Sequence, residues 1–441
     1  MTLQKFDETA PGPERAVLVG FLRGKVTAED AQLSLAELAR LVSSAGGEVV
    51  EGQVIHLRVP SPGTLISKGH LENLVAWAER LEADLVVLDD DMTPAQQRNL
   101  EKAFGRRVLT RTEIILDIFA MHARTRESMT QVELAQLRWR ASRLIGASIA
   151  TAKMGGASAR IATRGPGETQ LEVDRRRIRE RVHRLEQSLK EIARQREIQR
   201  GKRRRSGLPL VGIVGYTNAG KSTLLNRLTQ AGVLAEDRLF STLDTTVRTL
   251  ELPGGLEVGL IDTVGFVSKL PPDLVAAFRA TLEEIQYADL ILHVVDSTSP
   301  RLSAEFTATD EILKTLKCEG TVRLTVWNKI DLIEDPIEIH ALSGRHAPAV
   351  AISALEGSGI GELLADMERL VLEQGHHAIL LIPYDHYDLV ARIHREGRVL
   401  ETRDLPEGKL MRCRLAPHLA TSFQQYELES WPEDTEITND E

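Results

Sequence analysis

At 441 residues, 42% hydrophobic and 27% charged, the chain is too long for a single hydrophobic core and has the composition of an ordinary soluble protein of about three domains. No apolar run approaches the roughly 20 residues of a membrane span, the polar N-terminus has no signal-peptide core, and two distant cysteines, Cys318 and Cys413, point to a reduced cytoplasmic protein rather than a disulfide scaffold. The formal net charge of −9 disfavours a nucleic-acid partner only as an average, because charge is segregated along the chain.

Residues 1–14 lack periodicity and read as a loose tail. Residues 15–111 then alternate strand and helix patterns, which predicts a small α/β domain of parallel character. Its strands are expected at Ala16–Leu22, Val49–Val59 and Asp84–Leu88. Ser34 and Glu37 have capping-box spacing and predict a helix start; a second helix is expected at Leu71–Glu82, and Thr93-Pro94 reads as N-cap and N1 of a third running through Leu100. The acidic run Asp89–Asp91 reads either as a metal site at a strand end or as a solvated loop that opens the next helix.

From 112 to 206 the pattern changes to two narrow apolar stripes on charged helices. Leu134, Leu137, Ala141 and Leu144 form one; Ile178, Val182, Leu185, Leu189 and Ile192 form the other, which predicts a projecting antiparallel helical hairpin. The glycine-rich stretch between them carries Lys153, Arg160 and Arg164 and is expected at the hairpin tip. The second helix adds Arg175, Arg176, Arg177, Arg179, Arg181 and Arg184. Some pair with glutamates, as a coiled-coil face would, but the excess suits the phosphates of a nucleic acid.

Residues 207–374 hold the stretch Gly215-Tyr216-Thr217-Asn218-Ala219-Gly220-Lys221-Ser222, which follows the aliphatic run Leu210–Val214 and precedes a helical pattern. Strand, glycine-bounded loop, Lys-Ser and helix together make a P-loop, whose N–H groups converge on one anion site. Lys221 would reach the β/γ-phosphates and Ser222 would ligate Mg²⁺. Further strands are expected at Leu256–Ile261, Leu290–Val295, Val322–Trp327 and Ala349–Ile352, with helices near 273–286, 303–317 and 360–373, giving a doubly wound α/β sheet with its ligand at the strand C-termini. Asp262-Thr263-Val264-Gly265 closes one strand: Asp262 would hold Mg²⁺ through water, and Gly265 would let a backbone N–H approach the γ-phosphate. Asn328-Lys329-Ile330-Asp331 follows another, and the Asp331 carboxylate can accept from guanine N1–H and the exocyclic amine, a donor pair adenine lacks. Ser353-Ala354-Leu355 would present a backbone N–H to guanine O6. The four motifs in this order read as a GTP site.

Residues 375–441 are expected to form a small α+β module with strands at Ile379–Ile382, Val399–Thr402 and Leu410–Leu415, a helix near Tyr387–Glu396 and an acidic tail.

Phe240-Ser241-Thr242-Leu243-Asp244, Asp262–Phe266, the hairpin segments Arg124–Glu127 and Gln131–Leu137, the tip Arg164–Glu172 and Thr93–Glu101 together resemble the HflX family of ribosome-associated GTPases over roughly residues 15–375. The resemblance implies that Thr242 ligates Mg²⁺ beside Ser222 and senses the γ-phosphate, and that Lys221, Thr242 and Gly265 form the catalytic set. It also implies GTP and GDP as ligands, binding to the 50S subunit and its 23S rRNA with the hairpin tip toward the peptidyl-transferase region, and separation of stalled or idle ribosomes, often under stress. The chain is expected to act as a monomer; ATP binding in the first domain stays open. Leu243-Asp244-Thr245-Thr246-Val247-Arg248 departs from the family's usual Leu-Asp-Pro-Thr-Thr-Arg.

Phe266 stands where many regulatory GTPases place a water-orienting glutamine. A phenyl ring cannot orient water by hydrogen bonding, so slow intrinsic hydrolysis completed by a partner is expected. Two rival readings are a tRNA-modifying GTPase, for which the first domain shows no cysteine nucleophile, and an RNA-binding scaffold indifferent to nucleotide.

Overall fold

A computed structural model describes residues 12–24, 26–154, 170–206, 208–229, 240, 247–263, 265–267, 283–415, 419, 422–428 and 430–431. By internal contacts the chain forms two compact units, the first containing Met1–Ile192 and Glu236–Leu243, the second Ala193–Ala235, Asp244–Ser268 and Ala280–Glu441.

The first unit is built on a four-stranded parallel sheet in the order β2-β1-β3-β4, with β1 at Arg15–Leu22, β2 at Glu48–His56, β3 at Leu85–Leu88 and β4 at Arg107–Thr110. Val17, Val19, Val86, Leu88 and Val108 project into one core with Leu74, Trp77, Leu100 and Phe104 from the covering helices. Those helices are α2 (Lys68–Arg80) and α3 (Pro94–Phe104); the unit also contains α1 (Ala28–Ser44) and α4 (Arg111–His122). The Thr93 cap is observed, with Gln96 closing a reciprocal box and Gly105 ending α3 at φ 65°.

Ser34 is not a cap. Thr27 and Asp30 form the capping box of α1 instead, since a short carboxylate at N3 does the work of Glu, and Ser34 lies buried inside the helix. The sequence reading also missed β4 and α4, because a four-residue strand and a helix apolar on most sides carry no clean period.

The Asp89–Asp91 run is neither a metal site nor wholly solvated. Asp89 is buried; its carboxylate accepts from Arg111 Nη1 at 2.6 Å and from Ser34 Oγ at 2.6 Å, while Arg111 Nη2 lies 2.9 Å from Glu37. The basic partner lies 22 residues downstream, on the first turn of α4, where only the fold brings it to β3.

Two long helices follow, α5 (Arg126–Met154) and α6 (Gln170–Ser206), the latter 37 residues and so about 55 Å long. The predicted stripe is present on α6: Leu185 is buried, Ile178, Val182, Leu189 and Ile192 are half-buried, and the intervening arginines face solvent. Arg181 grips Glu133 of α5 through two bonds of 2.6 and 2.7 Å, and Arg138 donates to Glu186 at 2.8 Å. Arg181 is therefore a cross-helix tie, not part of the cationic excess.

The second unit contains a six-stranded sheet in the order β10-β9-β8-β5-β7-β6. Five strands are parallel: β5 (Leu210–Gly215), β7 (Glu257–Asp262), β8 (Leu290–Asp296), β9 (Val322–Asn328) and β10 (Ala349–Ala351); β6 (Val247–Glu251) is antiparallel at the edge. The near-continuous burial of β5, β7 and β8 is what a parallel sheet covered on both faces requires. Its helices include α7 (Lys221–Thr229), α8 (Leu302–Thr315), α9 (Pro336–Arg345) and α10 (Ile360–Glu373). The expected helix at 273–286 falls mostly outside the described residues, of which Glu283–Tyr287 form a 3₁₀ turn. At the C-terminal end, β11 (His376–Ile382), β13 (Gly408–Leu415) and β12 (Gly397–Leu405) make an antiparallel sheet in that order, packed on α11 (Tyr387–Glu396).

Candidate nucleotide site

All four motifs of the second unit leave the C-terminal ends of parallel strands. β5 ends at Gly215, whose φ of 150° and a would-be Cβ only 2.1 Å from the Val294 carbonyl leave room for glycine alone. The loop then turns through Asn218 at φ 63° and Gly220 at φ 91° into α7. A Cβ on Gly220 would fall 2.1 Å from Asn328 Nδ2, so the P-loop and the Asn328 motif touch at that point.

Lys221, the first residue of α7, is 7% exposed, and its ammonium donates to the Tyr216 carbonyl at 2.6 Å. Burial holds its pKa down to about 8, with the Asp262 carboxylate pulling the other way. Asp262 is itself 2% exposed at the end of β7, and its Oδ1 accepts from Thr263 N–H at 3.0 Å. Thr263 Oγ1 donates to the Ile213 carbonyl at 2.7 Å and so pins this loop to β5. Gly265 follows; a Cβ there would lie 2.8 Å from Lys221 Nζ, which shows how close this backbone comes to the lysine head.

Phe266 departs furthest from a glutamine-like role. It is 2% exposed, and its ring packs with Val214, Tyr216, Ile285 and Ile291. Its backbone is stitched to the P-loop: Thr217 N–H donates to the Phe266 carbonyl at 2.6 Å, and Phe266 N–H donates to the Gly215 carbonyl at 3.1 Å. The ring is thus a core residue that anchors the start of this loop.

Asn328 bridges two motifs. Its Nδ2 donates to the Ala219 carbonyl at 2.8 Å, and its Oδ1 accepts from Ala354 N–H at 3.0 Å. Lys329 sits at φ 67° and ion-pairs with Asp296, at the end of β8, at 2.6 Å. Asp331 is exposed on a 3₁₀ turn, Ile330–Leu332, that begins immediately after Lys329. Ser353 is fully buried, and Leu355 stands 71% exposed at the tip of the turn. Asp296 and Arg227, which donates to the carbonyls of Ala354 and Leu355, were missed in the sequence. The signal for Asp296 was its place at a strand end; none was available for Arg227.

Of the remaining sequence candidates, Ser241, Thr242, Leu243, Asp244, Val264, Arg160 and Arg164 lie outside the described residues, and Lys153 is placed only as backbone of α5. Phe240 is 3% exposed, at φ 61°, and meets Phe119 of the first unit edge-on at 4.7 Å. Arg176 and Arg177 are exposed on α6, whereas Arg175 is half-buried. Arg177 also borders a cavity of about 750 Å³ with Arg98, Trp139, Arg140 and Arg143.

Three family models match in succession: GTP-binding GTPase N-terminal over residues 32–120, GTP-binding GTPase Middle Region over 122–203, and 50S ribosome-binding GTPase over 210–329. GTPase HflX of Lacrimispora saccharolytica is 42% identical over 410 residues, covering 93% of this chain and 95% of that one. The chain belongs to the HflX family of GTPases. Its Escherichia coli relative, also GTPase HflX, is 41% identical over 383 residues, covering 86% of this chain and 88% of that one. A GTP-binding protein of Sulfolobus solfataricus, solved with GDP, is 24% identical, with a TM-score of 0.45, and spans 81% of this chain and 98% of its own. As a member of the HflX family the protein is a GTP-binding GTP hydrolase built on an α/β P-loop fold. Among the described residues no helix is long and apolar enough to cross a membrane.

Proposed function

We propose that this HflX-family GTPase binds Mg²⁺–GTP on the P-loop face of its second unit, docks on the 50S subunit in that state, and separates stalled or idle 70S ribosomes before hydrolysis releases it. The observation that carries the nucleotide reading is Asn328, whose one side chain joins the phosphate loop at Ala219 to the base-reading turn at Ala354. Phosphate and base are thereby read by one connected frame.

The residues Gly215, Tyr216, Thr217, Asn218, Ala219, Gly220 and Lys221 would cradle the phosphates, with Lys221 exchanging the Tyr216 carbonyl for phosphate oxygens. Asp331 would accept from the guanine edge, and the Ser353–Leu355 turn would donate to O6. The oxygen donors at hand, the Ser222 hydroxyl at the start of α7 and the buried Asp262 carboxylate whose charge reaches Lys221, suit a hard cation that keeps several waters. Mg²⁺ there would neutralise charge on the β- and γ-phosphates. Thr242 is proposed as its second protein ligand by family resemblance. Gly265 would bring its N–H to the γ-phosphate, a close approach that a side chain would block against Lys221.

With Phe266 turned into the core, no described side chain of this loop stands ready to orient the attacking water. Hydrolysis by the isolated protein is therefore slow, and the ribosome is proposed to order the loops that complete the site. The matching model described as a 50S ribosome-binding GTPase supports that partner, as does the exposed pair Arg176 and Arg177, suited to 23S rRNA phosphates. The site of action is proposed to be the cytoplasm. Co-sedimentation with 50S subunits under a non-hydrolysable GTP analogue and under GDP tests the reading: retention with the analogue alone is expected, and equal retention with both would refute it.

A further inference from the structure

The turn that is proposed to read guanine O6 is built from short internal bonds. Ser353 N–H donates to the Ser358 carbonyl at 3.0 Å, Gly357 N–H to the Ser353 carbonyl at 2.7 Å, and Glu356 N–H to Ser353 Oγ at 3.1 Å. Those bonds close the base of the turn. Of the next two residues, Ala354 is 2% exposed and packed into the core, whereas Leu355 offers little packing at 71% exposure.

Arg227 supplies the missing hold. It lies on the outer turn of α7, six residues beyond Lys221, and its Nε donates to the Ala354 carbonyl at 3.2 Å while Nη2 donates to the Leu355 carbonyl. The guanidinium rests against Gly357, where an added Cβ would lie 3.5 Å from Arg227 Cζ. A planar peptide carries its C=O and N–H in opposite directions, so holding the carbonyls of Ala354 and Leu355 on one side turns the N–H groups of Leu355 and Glu356 to the other, where Glu356 N–H is taken up by Ser353 Oγ. A charged fork holding two consecutive carbonyls fixes both planes at once, which a flexible point charge does less well. On the opposite side, Asn328 Oδ1 holds the Ala354 N–H. The turn is clamped between the two.

We infer that Arg227 is a positioning residue for guanine recognition: by tying the Ala354–Leu355 carbonyls to the helix that begins with Lys221, it aims the Leu355 N–H of this turn at guanine O6. The inference rests on the proposed guanine site and adds a specificity-determining residue to it. Arg227 need not touch the nucleotide. Its effect passes through the peptide planes, so it concerns the O6 group and leaves the phosphates and the 2-amino group to other residues.

That separation defines the test. GDP and 2-aminopurine riboside diphosphate, which keeps the 2-amino group but lacks O6 and with it the N1–H, are titrated against the full-length wild type and R227A, and the effect of the substitution is compared within each nucleotide. GDP affinity is expected to fall about tenfold in R227A, the size of a well-placed hydrogen bond left unmade, and the analogue's affinity by less than about twofold. R227Q, which keeps one donor, is expected to fall between and carries the same comparison if R227A loses its fold, as monitored by thermal melting. Equal losses for GDP and the analogue in a folded variant would overturn the role of Arg227. If the wild type itself does not prefer GDP over the analogue, or D331N leaves GDP binding unchanged, the guanine site is misplaced, an outcome distinct from the first.

Discussion

The ammonium of Lys221 donates to the carbonyl of Tyr216, five residues earlier in the same loop, at 2.6 Å. The contact closes the P-loop on itself, while burial of the ammonium, outweighing the attraction of Asp262, holds the lysine down to about 8 against an ordinary value of 10.5. The direction of the pH effect follows. Below pH 8 both folded and unfolded chains hold the proton, and the folded state bears the cost of burying it. Between about 8 and 10.5 the unfolded chain still holds the proton that the folded chain has released, so stability rises with pH through that window, by something of order 1–3 kcal/mol. Urea unfolding of the nucleotide-free protein from pH 7 to 10, compared with K221M, measures it; parallel curves for the two proteins would show that Lys221 is not depressed.

Nucleotide binding should reverse that shift. Phosphate oxygens beside Lys221 favour the ammonium, so above pH 8 binding takes up a proton, and GDP affinity is expected to weaken by up to about tenfold per pH unit there. Isothermal titration in two buffers of different ionisation enthalpy at pH 8.5 reads the proton uptake directly, and zero uptake contradicts the exchange of Tyr216 for phosphate.

Asp331→Asn is expected to weaken GTP by several kcal/mol, since an amide replaces an acceptor pair, and to favour xanthosine triphosphate, whose added carbonyl can accept from the new amide. Because Asp331 is exposed and Lys329 answers Asp296 instead, the fold should be untouched. Unchanged GTP binding in a folded D331N protein removes Asp331 from the guanine edge.

Phe266→Ala tests the ring's place in the core. Removing a ring that is 2% exposed, among Val214, Tyr216 and Ile285, should cost about 3–5 kcal/mol of stability, and Phe266→Leu much less. Phe266→Gln should also destabilise without raising hydrolysis, because the side chain at this position faces inward. A stable F266Q protein with faster intrinsic turnover would mean that the loop presents this side chain to the phosphate after all.

On α6, R176Q/R177Q should lower affinity for 50S subunits and flatten its salt dependence by up to about two units of log–log slope. Arg181→Gln should leave that slope unchanged, since its guanidinium already answers Glu133 through two short bonds. Equal slopes for all three proteins would remove this face of α6 from the ribosome contact.

The sequence by itself determined whatever is local. A P-loop, a strand-end Asp-x-x-Gly, the Asn328–Asp331 motif and the Thr93 N-cap each place their groups close together in the chain and are legible from spacing, although Ser34 and Glu37 share capping-box spacing without forming a cap, and the stripe on α6 needs only the helical period. The tertiary structure decided whatever joins distant residues. Arg227 meets Ala354 across 127 residues and Asn328 meets Ala219 across 109, which no local pattern encodes. Asp89 read as one of three equivalent acids until β4 and α4 brought Arg111 beside it. Phe266 read as a residue at the phosphate because its position in the motif is fixed by count, but the direction of its ring is set by the apolar wall of Val214, Ile285 and Ile291. Burial of a side chain is a property of the packed core around it, and that core is assembled from strands and helices far apart in the chain.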